Sequence, residues 1–501
     1  MGLLGTVVVV LAVTTVLAAC SSGSGSAAGG ADGTSPGTTR PARSVPDGPA
    51  ATVGPELTGG DGPWMASVVR FDATDGREVH EYAVSGTAAS YAGGPIPLDG
   101  RVTLTPTGSA EYTTRIVVDR PTDPADANGT VVVEWLNVSS GMDSAPDHSF
   151  LADELTRTGT TWVGVSAQHI GVEGGEVAVA SGSEDAGKGL VSIDPARYGE
   201  LSHPGDAYAY DIYTQVGRTV RAGGDLLGGI EPEVVLAVGE SQSAFALTTY
   251  ADGVQPLAGV YDGFLLHSRG GAPLELGEPG TGASISTSIF GPPARIRTDL
   301  DVPVLIVETE TDVTSVLGYH AARQDDTDRI RLWELAGTAH ADAFTVGPLA
   351  DLLPCGAEIN DGPQRFSVRA ALRALDTWVR TGEAPPTAPR LEVDTSSGSA
   401  VIVRDADGNA LGGVRLPQVE VPVAALTGEP GPTGGTICLL LGTTLPFPPE
   451  RLAARYPSVE EYQRAYEEAT DAAIGAGFAL GADRQQILDD ADPAAVAAAL
   501  G

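Results

Sequence analysis

Residues 234–247 join an apolar, β-branched run to a helix-forming run of small residues through one short turn. The order strand, sharp turn, helix places Ser241 at the turn, with its Oγ exposed above the end of the strand. Because strand and helix pass very close to each other at such a turn, only small residues fit two positions before and after the serine. Gly239 and Ser243 satisfy this requirement, although glycine is the commoner residue at the second position. The stretch predicts either a nucleophilic serine or a helix that begins at a capping serine, since serine is a favoured N-cap residue.

Two later loops carry the residue types that activate a serine. Asp312 and His340 each follow a predicted apolar strand, at residues 303–307 and 330–335. Because the carboxyl ends of parallel strands meet at one edge of a sheet, both side chains are expected at the edge where Ser241 lies. An imidazole, with an unperturbed pKa of about 6.5, can take the serine proton, and a carboxylate on the other ring nitrogen fixes the tautomer. The pattern predicts a nucleophile, an acid and a base in that order along the chain.

The assignment of the acid leaves alternatives open. Glu308 and Glu310 lie on the same loop as Asp312, and either could replace it. The base is better defined: of seven histidines, only His340 combines a position after a strand with glycine and small neighbours. The chemistry of such a triad needs neither a metal ion nor a cofactor, and no pair of histidines has the spacing of metal ligands.

An oxyanion that forms during acyl transfer needs two N–H donors. One predicted donor is the backbone N–H of Gln242, which follows the nucleophile at the start of a helix. The other is the backbone N–H of Val138, in the loop after a buried strand at residues 131–137. Asn137 has an alternative role as a residue that ends the strand in a turn.

Strands and helices alternate through the middle of the chain. Two antiparallel strands, at residues 79–91 and 111–119, are followed by predicted strands and helices listed here in chain order: strand 131–137, helix 149–155, strand 161–166, helix 206–221, the strand before Ser241, strands 259–266, 302–307 and 330–335, and helix 364–380. This alternation implies right-handed crossovers and an α/β fold with a mainly parallel sheet flanked by helices. A Gly/Pro/Ser-rich insertion at residues 269–298 precedes the acid-bearing strand, in a place where it could overhang the strand ends as a lid or lip.

Three stretches carry a family resemblance: Val-Glu-Trp-Leu-Asn at residues 133–137, His-Pro-Gly-Asp at residues 203–206 and Gly-Glu-Ser-Gln-Ser at residues 239–243. Together with the order Ser241, Asp312, His340 they resemble the α/β-hydrolase superfamily and, more narrowly, the bacterial family called alpha/beta hydrolase domain. The resemblance covers roughly residues 75–480. It implies the α/β-hydrolase fold and a hydrolytic triad, and it implies no substrate.

The domain organisation follows from this pattern. Residues 58–390 are expected to form the hydrolase domain. Residues 391–501 are expected to add a C-terminal extension packed on it, with a β-meander at residues 391–423 and helices at residues 451–474 that break, if anywhere, near Pro457.

The N-terminal region resembles a bacterial lipoprotein signal. Residues 1–19 contain an apolar run that ends in Leu-Ala-Ala before Cys20, the predicted site of lipidation after cleavage. No lysine or arginine precedes this run, which leaves an uncleaved membrane anchor as the alternative. Residues 20–57 have a composition that cannot bury a core, and they are expected to form a disordered linker from the membrane to an extracytoplasmic domain.

Two cysteines remain after Cys20, at positions 355 and 438. In an oxidising compartment such a pair predicts a disulfide, which would close a loop of about 83 residues and contribute roughly 4 kcal/mol in the chain-entropy model. Two buried free thiols are the alternative.

Acidic residues outnumber basic ones 65 to 29, which gives a formal net charge of −36. Such a surface repels nucleic acid and anionic lipid headgroups, so neither is an expected partner.

The predicted triad, fold and N-terminal signal together favour an extracytoplasmic, lipid-anchored serine hydrolase that acts on small carboxylic esters through an acyl-enzyme. A peptidase or amidase with the same triad and an inactive lipoprotein that binds a ligand in the same cleft are the alternatives. The acyl and alcohol preferences and the oligomeric state stay open.

Overall fold

A nine-stranded sheet forms the centre of the computed structural model, which describes residues 45–66, 76–180 and 182–501. Its strands are β1 Thr52–Glu56, β2 Arg77–Ala92, β3 Thr105–Pro121, β4 Thr130–Trp135, β5 Thr161–Val165, β6 Val234–Glu240, β7 Gly263–His267, β8 Val304–Thr309 and β9 Ile330–Leu335. Their spatial order is β1-β2-β3-β5-β4-β6-β7-β8-β9. The pairs from β1 to β5 are antiparallel, and every pair from β5 to β9 is parallel. The predicted mainly parallel sheet is confirmed.

Helices cover both faces of this sheet. The α-helices are α1 Pro146–Thr158, α2 His169–Glu173, α3 Leu190–Ile193, α4 Pro195–Tyr198, α5 Ala209–Ala222, α6 Gln242–Thr249, α7 Gln255–Ala258, α8 Ile285–Ile289, α9 Glu310–Thr314, α10 Ala343–Val346, α11 Gln364–Thr381, α12 Pro417–Glu420, α13 Pro449–Arg455, α14 Val459–Gly475, α15 Arg484–Asp489 and α16 Pro493–Leu500. Side chains of α5 and α6 pack into the core on one face, and those of α1 and α11 pack into the core on the other.

The central strand β4 shows why the sheet is covered on both sides. All six of its residues are buried. Val131 and Val133 pack into one core, whereas Val132 packs into the other, because successive side chains of a strand point to opposite faces. A strand that is buried at every position therefore needs helices above and below it, as parallel sheets have.

Part of the stretch predicted to be a disordered linker, residues 20–57, forms a strand. The predicted signal peptide, the lipidated Cys20 and residues 20–44 lie outside the described residues. Residues 52–56, predicted to be disordered, form the edge strand β1, which pairs antiparallel with β2 from Thr52 opposite Ser85 onward. Its stability comes from backbone pairing to a neighbour that is distant in the sequence, and the local composition gives no sign of this pairing.

The C-terminal extension differs in part from its prediction. The expected β-meander is wrong, since only two two-residue strands, β10 Val393–Asp394 and β11 Val401–Ile402, form between residues 391 and 423. Two further short strands, β12 Ala424–Thr427 and β13 Thr443–Pro446, pair with each other after it. The predicted break near Pro457 is present, because α13 ends at Arg455 and α14 begins at Val459.

Cys355 and Cys438 form the predicted disulfide, with both residues buried. The bond joins the segment after α10 to the segment between β12 and β13.

Replacing both cysteines by alanine should lower the free energy of unfolding by about 4 kcal/mol, because the unfolded chain then regains the entropy of an 83-residue loop. Urea denaturation measures this difference. Dithiothreitol should destabilise the wild type to a similar extent and leave the double variant unaffected. Equal unfolding midpoints for the oxidised wild type and the double variant would contradict the expectation.

Candidate active site

Ser241 lies at the sharp turn between β6 and α6. Its backbone has φ 59° and ψ −124°, a left-handed conformation that a non-glycine residue rarely adopts. The Ser241 N–H donates to the carbonyl of His267, at the end of the neighbouring strand, over 2.9 Å. A Cβ atom on Gly239 would lie 2.9 Å from Cβ of Ser243, so the strand and helix are as close here as the sequence predicts. This packing presents the serine hydroxyl above the sheet edge.

His340 lies between the hydroxyl and a carboxylate. Its Nε2 is 2.8 Å from Ser241 Oγ, and its Nδ1 is 2.6 Å from Asp312 Oδ1. The other carboxylate oxygen of Asp312 accepts hydrogen bonds from the N–H and the hydroxyl of Thr309, each over 2.7 Å. Because both oxygens of Asp312 are held, the carboxylate can fix the orientation of the His340 ring. The structure brings together the three residues that the sequence predicts, from the segments that follow β6, β8 and β9, with Asp312 in the short helix α9.

The two alternative acids have other partners. Glu310 accepts hydrogen bonds from the N–H groups of Gly337 and Gly428, over 2.6 and 3.0 Å, and pairs with Arg404 over 2.9 Å. Glu308 is buried in β8, and burial raises its pKa well above the ordinary value. Neither glutamate hydrogen-bonds to His340, so the geometry favours Asp312 as the acid.

Glu240 is a second carboxyl group at the imidazole, and the sequence analysis missed it. Its Oε1 lies 3.4 Å from His340 Nε2, and the residue is 6% exposed. Burial raises the pKa of Glu240 to about 7. The available signal was its place in the motif, since the residue just before the nucleophile is held at the same turn.

The protonation of His340 depends on these carboxyl groups. Burial lowers the pKa of the imidazole, but the nearby charges of Glu240 and Asp312 raise it more, so its pKa lies above the ordinary value of 6.5. A general base must be neutral to accept a proton. The site therefore loses its base as the pH falls through this raised pKa.

The two predicted oxyanion donors differ in their surroundings. Gln242 is the first residue of α6, and an N–H in the first turn has no acceptor within the helix. The Val138 N–H donates to Gln242 Oε1 over 3.1 Å, so it can serve an oxyanion only if that side chain moves. Asn137 has the turn-forming role left open above, because its Oδ1 accepts from the Ser139 N–H over 2.8 Å. Its amide also donates to the carbonyl of Glu240 over 3.1 Å.

A cavity of about 600 Å³ opens at Ser241 and His340, and we call it the Ser241 cavity. Its apolar lining includes Met142, Phe150, Val179, Val346, Leu349 and Leu440. The expectation that residues 269–298 form a lid is wrong. The whole insertion lies within the described residues, but none of it lines this cavity. Asp206 accepts from the Ala283 N–H over 2.8 Å, and Ile285 packs in one buried cluster with Val138 and Ile170, so the insertion lies behind the loop that follows β4 and does not form a wall of the cavity.

A serine, histidine and aspartate at the carboxyl edge of a mainly parallel sheet define the α/β-hydrolase class of fold and site. The chain belongs to the Alpha/beta hydrolase domain family, whose model matches residues 47–489. No curated protein matches the chain. Among the described residues, no three His, Cys, Asp or Glu side chains are placed together to hold a metal ion.

Several solved structures are similar to parts of the chain. A cold-adapted esterase from an Arctic intertidal metagenomic library is 13% identical, with a TM-score of 0.28, over 53% of this chain and 89% of the esterase. A dienelactone hydrolase from Anabaena variabilis is 10% identical, with a TM-score of 0.27, over 52% of this chain and 92% of the other. A fungal esterase from Rhizomucor miehei is 12% identical, with a TM-score of 0.25, over 51% and 75% of the two chains. Similarity at this level says nothing about the substrate.

Asp312→Asn should lower kcat by roughly 10³- to 10⁴-fold, because an amide in place of the carboxylate favours the wrong tautomer of His340. Glu308→Gln provides the matched control. Glu308 is as buried as Asp312 and lies four residues before it, but it makes no hydrogen bond to His340. Steady-state hydrolysis of an aryl ester measures both variants. A larger loss in Glu308→Gln than in Asp312→Asn would exclude Asp312 as the acid.

Glu240→Gln should shift the acid limb of the pH profile of kcat/KM to lower pH. The substitution removes a negative charge that raises the pKa of His340, so the imidazole stays neutral and basic at lower pH. Glu460→Gln, on the exposed side of α14, changes the net charge equally and should leave the limb in place. A limb that stays fixed or moves to higher pH in Glu240→Gln would refute this electrostatic role.

Proposed function

We propose that the protein is a serine hydrolase that cleaves carboxylic esters through an acyl-enzyme on Ser241. The supporting observation is the continuous hydrogen-bonded chain from Ser241 Oγ through His340 to Asp312, over 2.8 and 2.6 Å. A hydroxyl is a weak nucleophile at neutral pH, and a base within hydrogen-bond reach removes that limit.

The reaction has two stages. In the first, Ser241 Oγ attacks the ester carbonyl carbon while its proton passes to His340 Nε2, and the resulting oxyanion accepts a hydrogen bond from the Gln242 N–H. Collapse of this intermediate breaks the bond to the alcohol, which leaves with the proton from Nε2. In the second stage water, deprotonated by His340, attacks the acyl carbon and releases the acid and the free serine.

Val138 is the proposed second donor to the oxyanion. Its N–H becomes available when the carbonyl oxygen of the Gln242 side chain gives way to the substrate. The side-chain amide of Gln242 also donates to Gln168 Oε1 over 2.6 Å, a contact that must lengthen or break when the side chain gives way.

The proposal includes an extracytoplasmic location with a lipid anchor at Cys20. The disulfide between Cys355 and Cys438 supports an oxidising compartment, because such bonds rarely persist in the cytosol. In the part of the chain that the structure describes, no helix is both long and apolar enough to cross a membrane. The proposed lipid anchor rests on the apolar run that ends in Leu-Ala-Ala directly before Cys20.

Ser241→Ala should lower kcat for p-nitrophenyl butyrate by at least about 10³-fold, because the variant lacks the nucleophile. A fluorophosphonate probe should label wild-type protein on Ser241 and fail to label the variant. Ser192→Ala provides the control. It removes an exposed hydroxyl that does not line the Ser241 cavity, so the variant should keep both the activity and the label. Activity or labelling that persists in Ser241→Ala would refute the proposed nucleophile. Matched ester and amide substrates separate an esterase from an amidase with the same triad.

A further inference from the structure

Glu240 is the one acidic side chain among the described residues that line the Ser241 cavity, and no lysine or arginine is among them. The remaining lining consists of apolar side chains, glycine, hydroxyl and amide groups, and His340. The negative charge of the cavity lining is therefore concentrated at one carboxyl group beside Ser241.

The carboxyl group of Glu240 has weak partners. Its Oε1 lies 3.4 Å from His340 Nε2, and its Oε2 lies 3.5 Å from the Asn137 amide, both long for hydrogen bonds. The next charged groups are the buried pair of His267 and Asp147, joined over 2.9 Å, and Asp312 on the far side of the imidazole. The positive charge of His267, whose pKa is raised by Asp147, is balanced by that carboxylate, and Asp312 adds further negative charge, so the site around Glu240 is negative overall.

The carboxyl group is also close to the reacting atoms. Because Oε1 is 3.4 Å from His340 Nε2 and Nε2 is 2.8 Å from Ser241 Oγ, Oε1 lies at most about 6 Å from the nucleophile. Any ester held at Ser241 places its acyl or alcohol group within reach of this charge. At an effective dielectric constant of about 20, repulsion between two like unit charges corresponds to roughly 100-fold in rate where the substrate's charge comes to about 6 Å from Glu240, and to roughly tenfold at about twice that distance.

We propose that Glu240 restricts the Ser241 cavity to uncharged esters and excludes esters that carry an anionic group on the acyl chain. This inference rests on the proposed esterase function and names its substrate class. Uncharged aliphatic chains gain by contact with Met142, Phe150, Val346, Leu349 and Leu440, whereas a carboxylate there loses its water and meets a like charge. A volume of about 600 Å³ suits acyl chains of several carbons.

Two esters that differ only by a terminal carboxylate test the proposal: p-nitrophenyl hexanoate and mono-p-nitrophenyl adipate. At pH 8 we expect the wild type to favour the hexanoate by at least about 100-fold in kcat/KM. Glu240→Gln should reduce this preference at least about tenfold, because the repulsion is removed while the apolar walls remain. Glu460→Gln, which removes a charge remote from the cavity, should keep the wild-type ratio.

The outcomes separate this inference from the function on which it rests. A wild-type preference below about threefold, or a preference that Glu240→Gln leaves unchanged, overturns the selective role of Glu240 while the esterase function stands. If neither ester is hydrolysed and a fluorophosphonate does not label Ser241, the proposed function fails and the inference fails with it. A wild-type preference below about threefold overturns the proposal by itself, so the proposal stays refutable even if Glu240→Gln does not fold.

Discussion

The hydrogen bond between His340 Nδ1 and Asp312 Oδ1 is the contact on which the proposed chemistry depends. It is 2.6 Å long and buried, and it decides which nitrogen of the ring faces Ser241. Asp312 can hold the ring because Thr309, the cap of α9, fixes its other oxygen with two donors. A short helix and its capping box thus determine the direction of a side chain on a separate loop.

The C-terminal extension takes part in this arrangement. Glu310 lies two residues before the acid, and it binds both the loop that carries His340, through Gly337, and the extension, through Gly428 and Arg404. The disulfide joins the two segments that contribute Leu349 and Leu440 to the wall of the Ser241 cavity. Residues after position 391 therefore stabilise the short helix that carries Asp312, and they also contribute to the wall of the Ser241 cavity.

The placement of Ser241, Asp312 and His340 could be predicted from the sequence, because each residue comes shortly after the end of a strand. The apolar runs before Ser241, Asp312 and His340 indicate parallel strands, and parallel strands place the residues that follow them at one edge. The choice among Glu308, Glu310 and Asp312 could not be made this way, because the capping geometry of one turn decides which acid faces His340. The course of residues 269–298 depends on tertiary contacts such as the bond to Asp206, and no local pattern encodes them. The Val138 N–H was predicted without its partner, since that partner is the side chain of Gln242, at the start of α6 about 100 residues away in the sequence.

The central claim is that Ser241 carries the acyl group between the two stages of the reaction. Acid-quenching the enzyme during turnover of p-nitrophenyl acetate, followed by peptide mass spectrometry, tests this claim most directly. The account predicts an acetyl group on the peptide that contains Ser241, and fragmentation should place it on that serine. An acetyl group that forms at the catalytic rate on any other residue would contradict the account.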